Sequence, residues 1–564
     1  MRKYQRTLLL LLGGAVAWGC SDPLAVDNKN NPGRDAVLRL PRDVEALGGK
    51  LYQNTHAGTL GGANDALNPQ LMVMSLENVS SLNNFGMGPR GTLPRNFIDN
   101  ARGNNLQIGN RRDFGSLQQT ARTAMLVLGR LDDPTFTLGT AAQNKRLRSF
   151  TWFGYAAALG NVALTYDSAG IPAVTDGETD IPTLVGYKDV MARALVALDS
   201  AIALANDAET LYPIPAAWFA QASGVSKARY LEILYAYKAR FRAGVARTVE
   251  ERAAVDWSQV IADAGRGLKS DFTLTLTPSA GWDYSWLVQM YTTGAANWHQ
   301  MVQLMIGMAD TTVVGGAAQY ETWLRTPRDN RAPFLVVTPD KRFPAGTTRA
   351  AQQANSPDVL PAGQYIRNRP SGEDQPSSSW GQSFYSHHRW RGLQLASRVG
   401  PWVTFSQVEN DMLAAEGYIR TGQFGLAAAL IDRSRVRNGL PSTAGLTALG
   451  QPVAGGTDAA PVPGGASCVP RVPNPAQDFV GTKCGDILEA MKWEKRMESA
   501  YSSYATWFTD SRGWGDLPEG TAVHWPVPWQ EMDARVLPFY NYGGVGREGG
   551  APASVTYGFG TGAR

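Results

Sequence analysis

Residues 150–166, FTWFGYAAALGNVALTY, constrain the fold more than any other stretch of the chain. The segment is apolar almost all the way round a helix. Gly154, Gly160 and Asn161 break it, and it falls short of the roughly 20 apolar residues that a membrane span needs. A helix of this kind is buried on most of its sides. Other helices must therefore wrap it.

The wrapping helices are legible as stripes. Leu117, Ala121, Ala124, Leu128 and Leu131 step by four and three. Met191, Leu195, Leu198, Ile202 and Ala205 do the same, as do Phe405, Val408, Met412, Ala415 and Ile419. Each set lies on one helical face. Tyr230, Leu234, Tyr237, Phe241 and Val245 form a large stripe beside a small one of Ala236, Ala239 and Ala243. Large beside small lets two helices approach and interlock. Residues 405–437 read as two helices joined at Thr421, Gly422 and Gln423 and stopped at Asn438 and Gly439. That length is close to the ~34 residues of a tetratricopeptide (TPR) helix pair, although the strict repeat consensus is largely missing.

Long irregular stretches separate the helical blocks. Residues 64–110 carry ten asparagines, and residues 338–382 and 441–482 are rich in Gly, Pro, Ser and Ala. Loops of such length are usually functional or disordered. The expected fold class is mainly α. TPR-like helix pairs form a scaffold, with long loops on one side and a few short strands.

The amino-terminal residues address location. Arg2, Lys3 and Arg6 precede a short apolar core at residues 8–16, then Gly19 and Cys20. Basic start, short core and a break mark a secretory signal. A cysteine at the break resembles a bacterial lipobox, whose thiol is acylated and whose chain is cut just before it. Trp18 and Ala17 depart from the usual small residue and leucine, and an ordinary signal cut nearby is the alternative. Each buried CH₂ of an acyl chain such as palmitate contributes ~0.8 kcal/mol, and more than one chain gives stable attachment. The expected division is a signal peptide at 1–19 and a lipid-anchored tether at 20–36. A single helical domain then fills 37–564, with loop-rich insertions near 60–110, 275–400 and 441–483. Formal charge is +4, and three of the positive charges sit in the leader. No nucleic-acid partner or basic membrane patch is implied. After Cys20 only Cys468 and Cys484 remain. An exported chain permits a disulfide between them, which would stabilise by ~3 kcal/mol through loop closure; two free thiols are the alternative.

Motifs of catalysis are thin. Gly544, Gly546 and Gly549 fit a dinucleotide fingerprint, and Gly558, Gly560 and Ala563 its looser form. Neither follows a strand pattern or opens a helix, as the fingerprint requires. The five histidines, His56, His299, His387, His388 and His524, include no His-Glu-x-x-His. No catalytic residue, metal or cofactor is expected.

Aromatic residues are the stronger signal for binding, with 16 Trp, 20 Tyr and 18 Phe. In the stretch from Gly281, Trp282, Tyr284 and Trp286 alternate, and Tyr291, Trp298 and Trp323 follow. In an extended segment alternate side chains share a face. A row of rings could stack on the apolar C–H faces of sugars, with Asp283, Gln289 and Asn297 taking hydroxyls. The competing reading is that the rings pack beneath a loop. Asn83 and Asn84, beside Phe85, form a second candidate, although Asn also forms turns. Trp380 and Trp390 are weaker candidates. In HWPVPWQEMD (524–533), Pro526 and Pro528 should fix an extended segment that Trp525 and Trp529 pack onto the helices.

Several ordered segments resemble one family. They are VDNKNNP (26–32), RLRSFTWFGYAAALGNVAL (146–164) and ENDMLAAEGYIRTGQFGLAAALIDRSRVRNGLP (409–441). A late helix, KWEKRMESAYSSYATWFTDSRGWGDLP (492–518), and HWPVPWQEMD complete the series. Their order and local sequence are similar to the SusD/RagB family of outer-membrane nutrient-binding lipoproteins. The resemblance implies a non-catalytic protein on the outer face of the outer membrane. It would cap a TonB-dependent, SusC-like barrel and hand it nutrient, an oligosaccharide first among the candidates. The TPR-like helices would face the barrel and the loops would carry the ligand. The family's Glu-Gly-x-Arg-x-x-Asp core is replaced here by Ser502, Ser503, Ala505 and Phe508. Arg496 and Glu498 keep the charged start of that helix, and Asp510 and Arg512 offer polar pairing further on, which marks a divergent branch. Two rival readings stand beside it: a surface-anchored glycosidase or peptidase, and a helical scaffold that binds only proteins.

Overall fold

Five of the principal helices begin where a side chain closes one of the first orphan N–H groups. The computed structural model describes residues 37–541, apart from 62–65, 81–85, 94, 96–97, 105–107, 178, 288–298, 315–316, 373–382 and 454–467. The principal helices are α1 (Pro41–Gly49), α2 (Leu51–Thr59), α3 (Ile108–Asp132), α4 (Ala141–Thr165), α5 (Tyr187–Asn206), α6 (Lys227–Gly244) and α7 (Trp257–Arg266). They continue with α8 (Gln407–Arg420), α9 (Phe424–Arg435), α10 (Ile487–Ser499) and α11 (Thr506–Trp514). Thr140 and Gln143 form a reciprocal capping box on α4. Ser226, Asp256, Ser406 and Asp486 cap α6, α7, α8 and α10 with their side-chain oxygens. Such a cap is worth about 1 kcal/mol.

The all-round apolar segment lies within α4, and it is wrapped. Phe150, Phe153, Tyr155, Leu159 and Val162 are fully buried, and α3, α5, α6, α1 and α2 pack around them. The glycines that break the segment are points of close approach. A methyl group at Gly160 would collide with the Phe241 ring of α6, and one at Gly154 with Leu51 of α2. The expected stripes on α3, α5, α6 and α8 face this core or a neighbouring one. Among the described residues no helix is long and apolar enough to cross a membrane.

Strands are short and paired in twos. Six of them are β1 (Phe272–Leu276), β2 (Ile366–Asn368), β3 (Tyr385–His387), β4 (Gly400–Phe405), β5 (Arg471–Pro473) and β6 (Thr482–Cys484). β1 pairs with β4, β2 with β3 and β5 with β6, all antiparallel. A register shift between Val403 and Phe405 bends β4 as it enters α8. The stretches expected to be irregular are partly ordered: a helix spans Asn68–Met74, and another spans Arg349–Ala354 ahead of β2.

Helices α8 and α9 form the expected pair. Gly422 (φ +76°) makes the turn and Gly439 (φ +83°) lies past the end, each in the left-handed region that suits glycine. With α10 they enclose a smaller core of Met412, Ala415, Ile419, Ala427, Ile431, Met491 and Trp514. The late helix expected from residue 492 onward is instead two helices. The chain leaves α10 at Ser499 and re-enters α11 at Thr506, with Tyr501 and Ala505 at φ 55° and 60°. Distant acids hold this turn. Glu77 accepts from Tyr501 N at 2.7 Å, Glu409 from Ser503 Oγ at 3.2 Å and Asp113 from Tyr504 OH at 2.9 Å.

Candidate functional site

The rings expected to meet a ligand are placed in the core. Trp282 and Thr277 exchange backbone hydrogen bonds of 2.8 and 3.2 Å, so the chain turns there. The alternation of Trp282, Tyr284 and Trp286 therefore generates no open face. Trp282 packs against Tyr52 and His56, with ring centroids 6.1 and 5.5 Å away. Tyr284 lies 5.2 Å from Trp402 and its hydroxyl accepts from Asn68 Nδ2 at 3.1 Å. Trp286 is fully buried, and Trp323 is buried beside Phe334 with the Arg331 guanidinium 4.3 Å above its ring. Covered rings cannot stack on a sugar, and these four supply packing in this structure. Tyr291, Trp298, Asn83, Asn84, Trp380 and the glycine-rich motifs lie outside the described residues, as does Cys20. Cys468 and Cys484 are joined in a disulfide, with their Cα atoms 5.0 Å apart, on the β5–β6 hairpin.

An open polar cleft of about 450 Å³ lies elsewhere, in the size range of small-molecule sites. One wall is the turn at residues 361–364. Gln364 N donates to Pro361 O at 3.1 Å, and Gly363 at φ +90° occupies the position of a type II turn that glycine fills. The facing wall is the exit from α9, with Arg437 and Asn438. Lys341 N donates to Asn438 O at 2.9 Å, which brings Lys341 to the same rim. Asp271 and Val408 close the back. Asp271 Oδ1 accepts from Gln407 N at 2.8 Å.

Glu498, near the end of α10, forms the floor. Its carboxylate accepts from Tyr365 OH at 2.8 Å, Asn438 Nδ2 at 3.2 Å, Arg437 Nη2 at 3.3 Å and Arg342 Nη1 at 3.4 Å. Burial pushes this carboxyl up. The guanidinium groups of Arg342, Arg389 and Arg437 outweigh that and hold it below the usual carboxylate range. Beneath it, Arg342 is fully buried and forks to Asp340 at 2.7 Å and Glu494 at 2.9 Å. Trp493 Nε1 donates to Asp340 at 3.0 Å and Ser434 Oγ to Glu494 at 2.7 Å. Buried charges persist only when paired and hydrogen-bonded, and this network meets that condition. Arg389 lies 4.3 Å over the Tyr365 ring and 4.7 Å over Trp390. Burial, with Glu498 beside it, pushes the Tyr365 hydroxyl up to about 12.

A second cleft, of about 340 Å³, runs between α5 and α6 and is lined by Met191, Leu195, Val245 and Val255. Glu251 closes its rim, accepting from Tyr187 OH at 2.6 Å and pairing with Lys188 at 2.7 Å.

Sequence reasoning did not assemble the polar cleft. Residues 338–382 were legible as a long loop, Glu498 as part of a charged helix start and Arg437 as a helix end. Nothing in the spacing brings Lys341, Tyr365, Arg389, Arg437 and Glu498 together.

Neither a family model nor a curated protein matches the chain. Solved structures do. A SusD superfamily protein from Parabacteroides distasonis aligns over 87% of this chain and 97% of its own, with a TM-score of 0.54 at 10% identity. One from Bacteroides vulgatus aligns over 88% of this chain and 90% of its own, with a TM-score of 0.51 at 13% identity. At such identities the likeness speaks for architecture: the chain has the SusD-like fold.

Proposed function

We propose that this chain is a non-catalytic cell-surface lipoprotein, anchored through acylated Cys20. It binds a nutrient, an oligosaccharide before other classes, and delivers it to a TonB-dependent, SusC-like outer-membrane barrel. The observation that carries this reading is the SusD-like fold, matched over nearly nine-tenths of the chain. The leader and the cysteine at residue 20 support the anchor. The cleft chemistry also favours binding over hydrolysis. A glycosidase needs a carboxylic acid held protonated near neutral pH, whereas Glu498 is held ionised by its guanidinium partners. The alternation and burial of the ring cluster point away from Trp282, Tyr284, Trp286 and Trp323 as the ligand surface, and the open polar cleft takes their place in this reading.

The test is to isolate membranes under mild conditions and capture the tagged full chain. Co-recovery of a TonB-dependent barrel is the expected result, with wild-type protein in the membrane fraction and Cys20→Ser released. A soluble wild-type chain, or capture without a barrel, overturns the proposal.

A further inference from the structure

We propose that the cleft floored by Glu498 holds the anionic group of an acidic saccharide, one bearing carboxylate or sulfate, on Lys341, Arg389 and Arg437. This rests on the reading of the chain as a saccharide-binding protein and adds the class of sugar.

The argument is a balance of donors and acceptors. An ionised carboxylate offers about four acceptor positions. Glu498 spends them on Tyr365, Asn438, Arg437, Arg342 and, at 3.5 Å, Ser434. Four of these donors crowd onto Oε1 and Tyr365 OH alone reaches Oε2, so the carboxylate keeps at most one acceptor position for a sugar hydroxyl. The donors on the wall are in the opposite state. Arg389 carries five N–H groups and, among the described residues, directs one hydrogen bond to the Glu498 carbonyl, at 3.3 Å. Arg437 is 57% exposed and shares one edge with Glu498. Lys341 is exposed and makes no ion pair among the described residues. Lys341, Arg389 and Arg437 thus line the cavity against two carboxylates, Glu498 and Asp271, which leaves the lining one positive charge in excess, and Glu498 is further paired with Arg342 at 3.4 Å. A ligand rich in acceptors and negatively charged meets this wall best, and guanidinium groups match carboxylate and sulfate oxygens in pairs.

Two further features suit a sugar rather than a bare ion. Asp271 uses Oδ1 for Gln407 N, and its Oδ2 accepts nothing among the described residues, so it can take a sugar hydroxyl. Val408 and the Pro361–Ala362 edge of the turn offer apolar surface to C–H faces. The volume of about 450 Å³ leaves room for both parts.

The experiment is calorimetric titration of the full chain in detergent with three probes: an oligogalacturonate, a sulfated oligosaccharide and a neutral oligosaccharide of equal length. Expected is binding of one anionic probe at least about tenfold tighter than the neutral one, weakened by added salt. The two anionic arms tell carboxylate from sulfate. Lys341→Gln and Arg437→Ala should each weaken anionic binding about tenfold. Lys341→Gln touches only the exposed rim, so it remains informative if Arg437→Ala disturbs the fold. Equal binding of neutral and anionic probes, or unaltered anionic binding by Lys341→Gln and a folded Arg437→Ala, overturns the inference and leaves the saccharide reading standing. Binding of no saccharide across a broad array overturns that reading, and this inference with it.

Discussion

Glu77 is a buried carboxyl group, 6% exposed, that pairs with no cation among the described residues and whose Oε1 accepts from Tyr501 N. Burial pushes it up to about 8 from an ordinary 4.5. Between those values the folded chain holds a proton that the unfolded chain releases, so stability falls as pH rises from about 4.5 to 8. Glu77→Gln keeps the acceptor and removes the titration. Its melting temperature should decline less than that of wild type across this window in thermal scans; identical slopes would refute the assignment. Val536 makes a different point. It sits 92% exposed at φ +58° just past the helix Trp529–Ala534, where glycine is usual and a β-branched residue is strained. Val536→Gly should stabilise by about 1 kcal/mol in denaturant titration. At this scale the sequence was least legible. The alternation at Trp282, Tyr284 and Trp286 is real, but a turn closed by Thr277 folds it inward, and no local pattern announces that closure. Asp510 and Arg512 illustrate the same limit. Asp510 does pair, with Lys495 at 2.7 Å and Arg252 at 3.1 Å, whereas Arg512 spends its donors on the backbone carbonyls of Gly244, Ala246 and Val523.

Elements are joined by buried ions as much as by apolar faces. Arg252, in the short helix Val249–Ala253, is fully buried and forks to Glu416 of α8 at 2.9 and 2.5 Å while reaching Asp510 of α11 at 3.1 Å. Removing the guanidinium strands two interior carboxylates. Arg252→Met should therefore cost about 3 kcal/mol, at the lower end for a broken buried pair because Arg420 and Lys495 remain close. Chemical denaturation measures it, and a neutral effect would show that the clamp is dispensable. The disulfide on the β5–β6 hairpin closes a separation of 16 residues. Replacing Cys468 and Cys484 by alanine should cost about 3 kcal/mol, read by the same method. Helices were the legible part of the chain because their cause is local: stripes at three and four residues foretold α3, α5, α6 and α8, and Gly422 and Gly439 foretold the bounds of the α8–α9 pair. The break at residues 500–505 was hidden because its cause is remote, in Glu77, Asp113 and Glu409.

On the scale of the molecule the described residues form two cores of unequal size, one round α4 and one between α8, α9 and α10. Helix α9 packs on the smaller and carries exposed Leu426. Its amides should exchange with solvent before those of α4 in native-state hydrogen exchange; equal protection would mean that the two cores open as one unit. Mainly helical class and a central wrapped helix could be read from composition and periodicity, since both follow from how much apolar surface must be hidden. The cleft could not, because it draws on a turn, a helix exit and a helix end that together span more than a hundred residues. The wrapping of α4 carries one more consequence. Its partners come from both sides in sequence: α2 and α3 precede it, while α5 and α6 are synthesised afterwards. During that interval the growing polypeptide displays a greasy rod with no polar side to turn toward water, the kind of surface that drives aggregation. A fragment ending before α5 should therefore aggregate where the full chain does not, and light scattering of the two would show it.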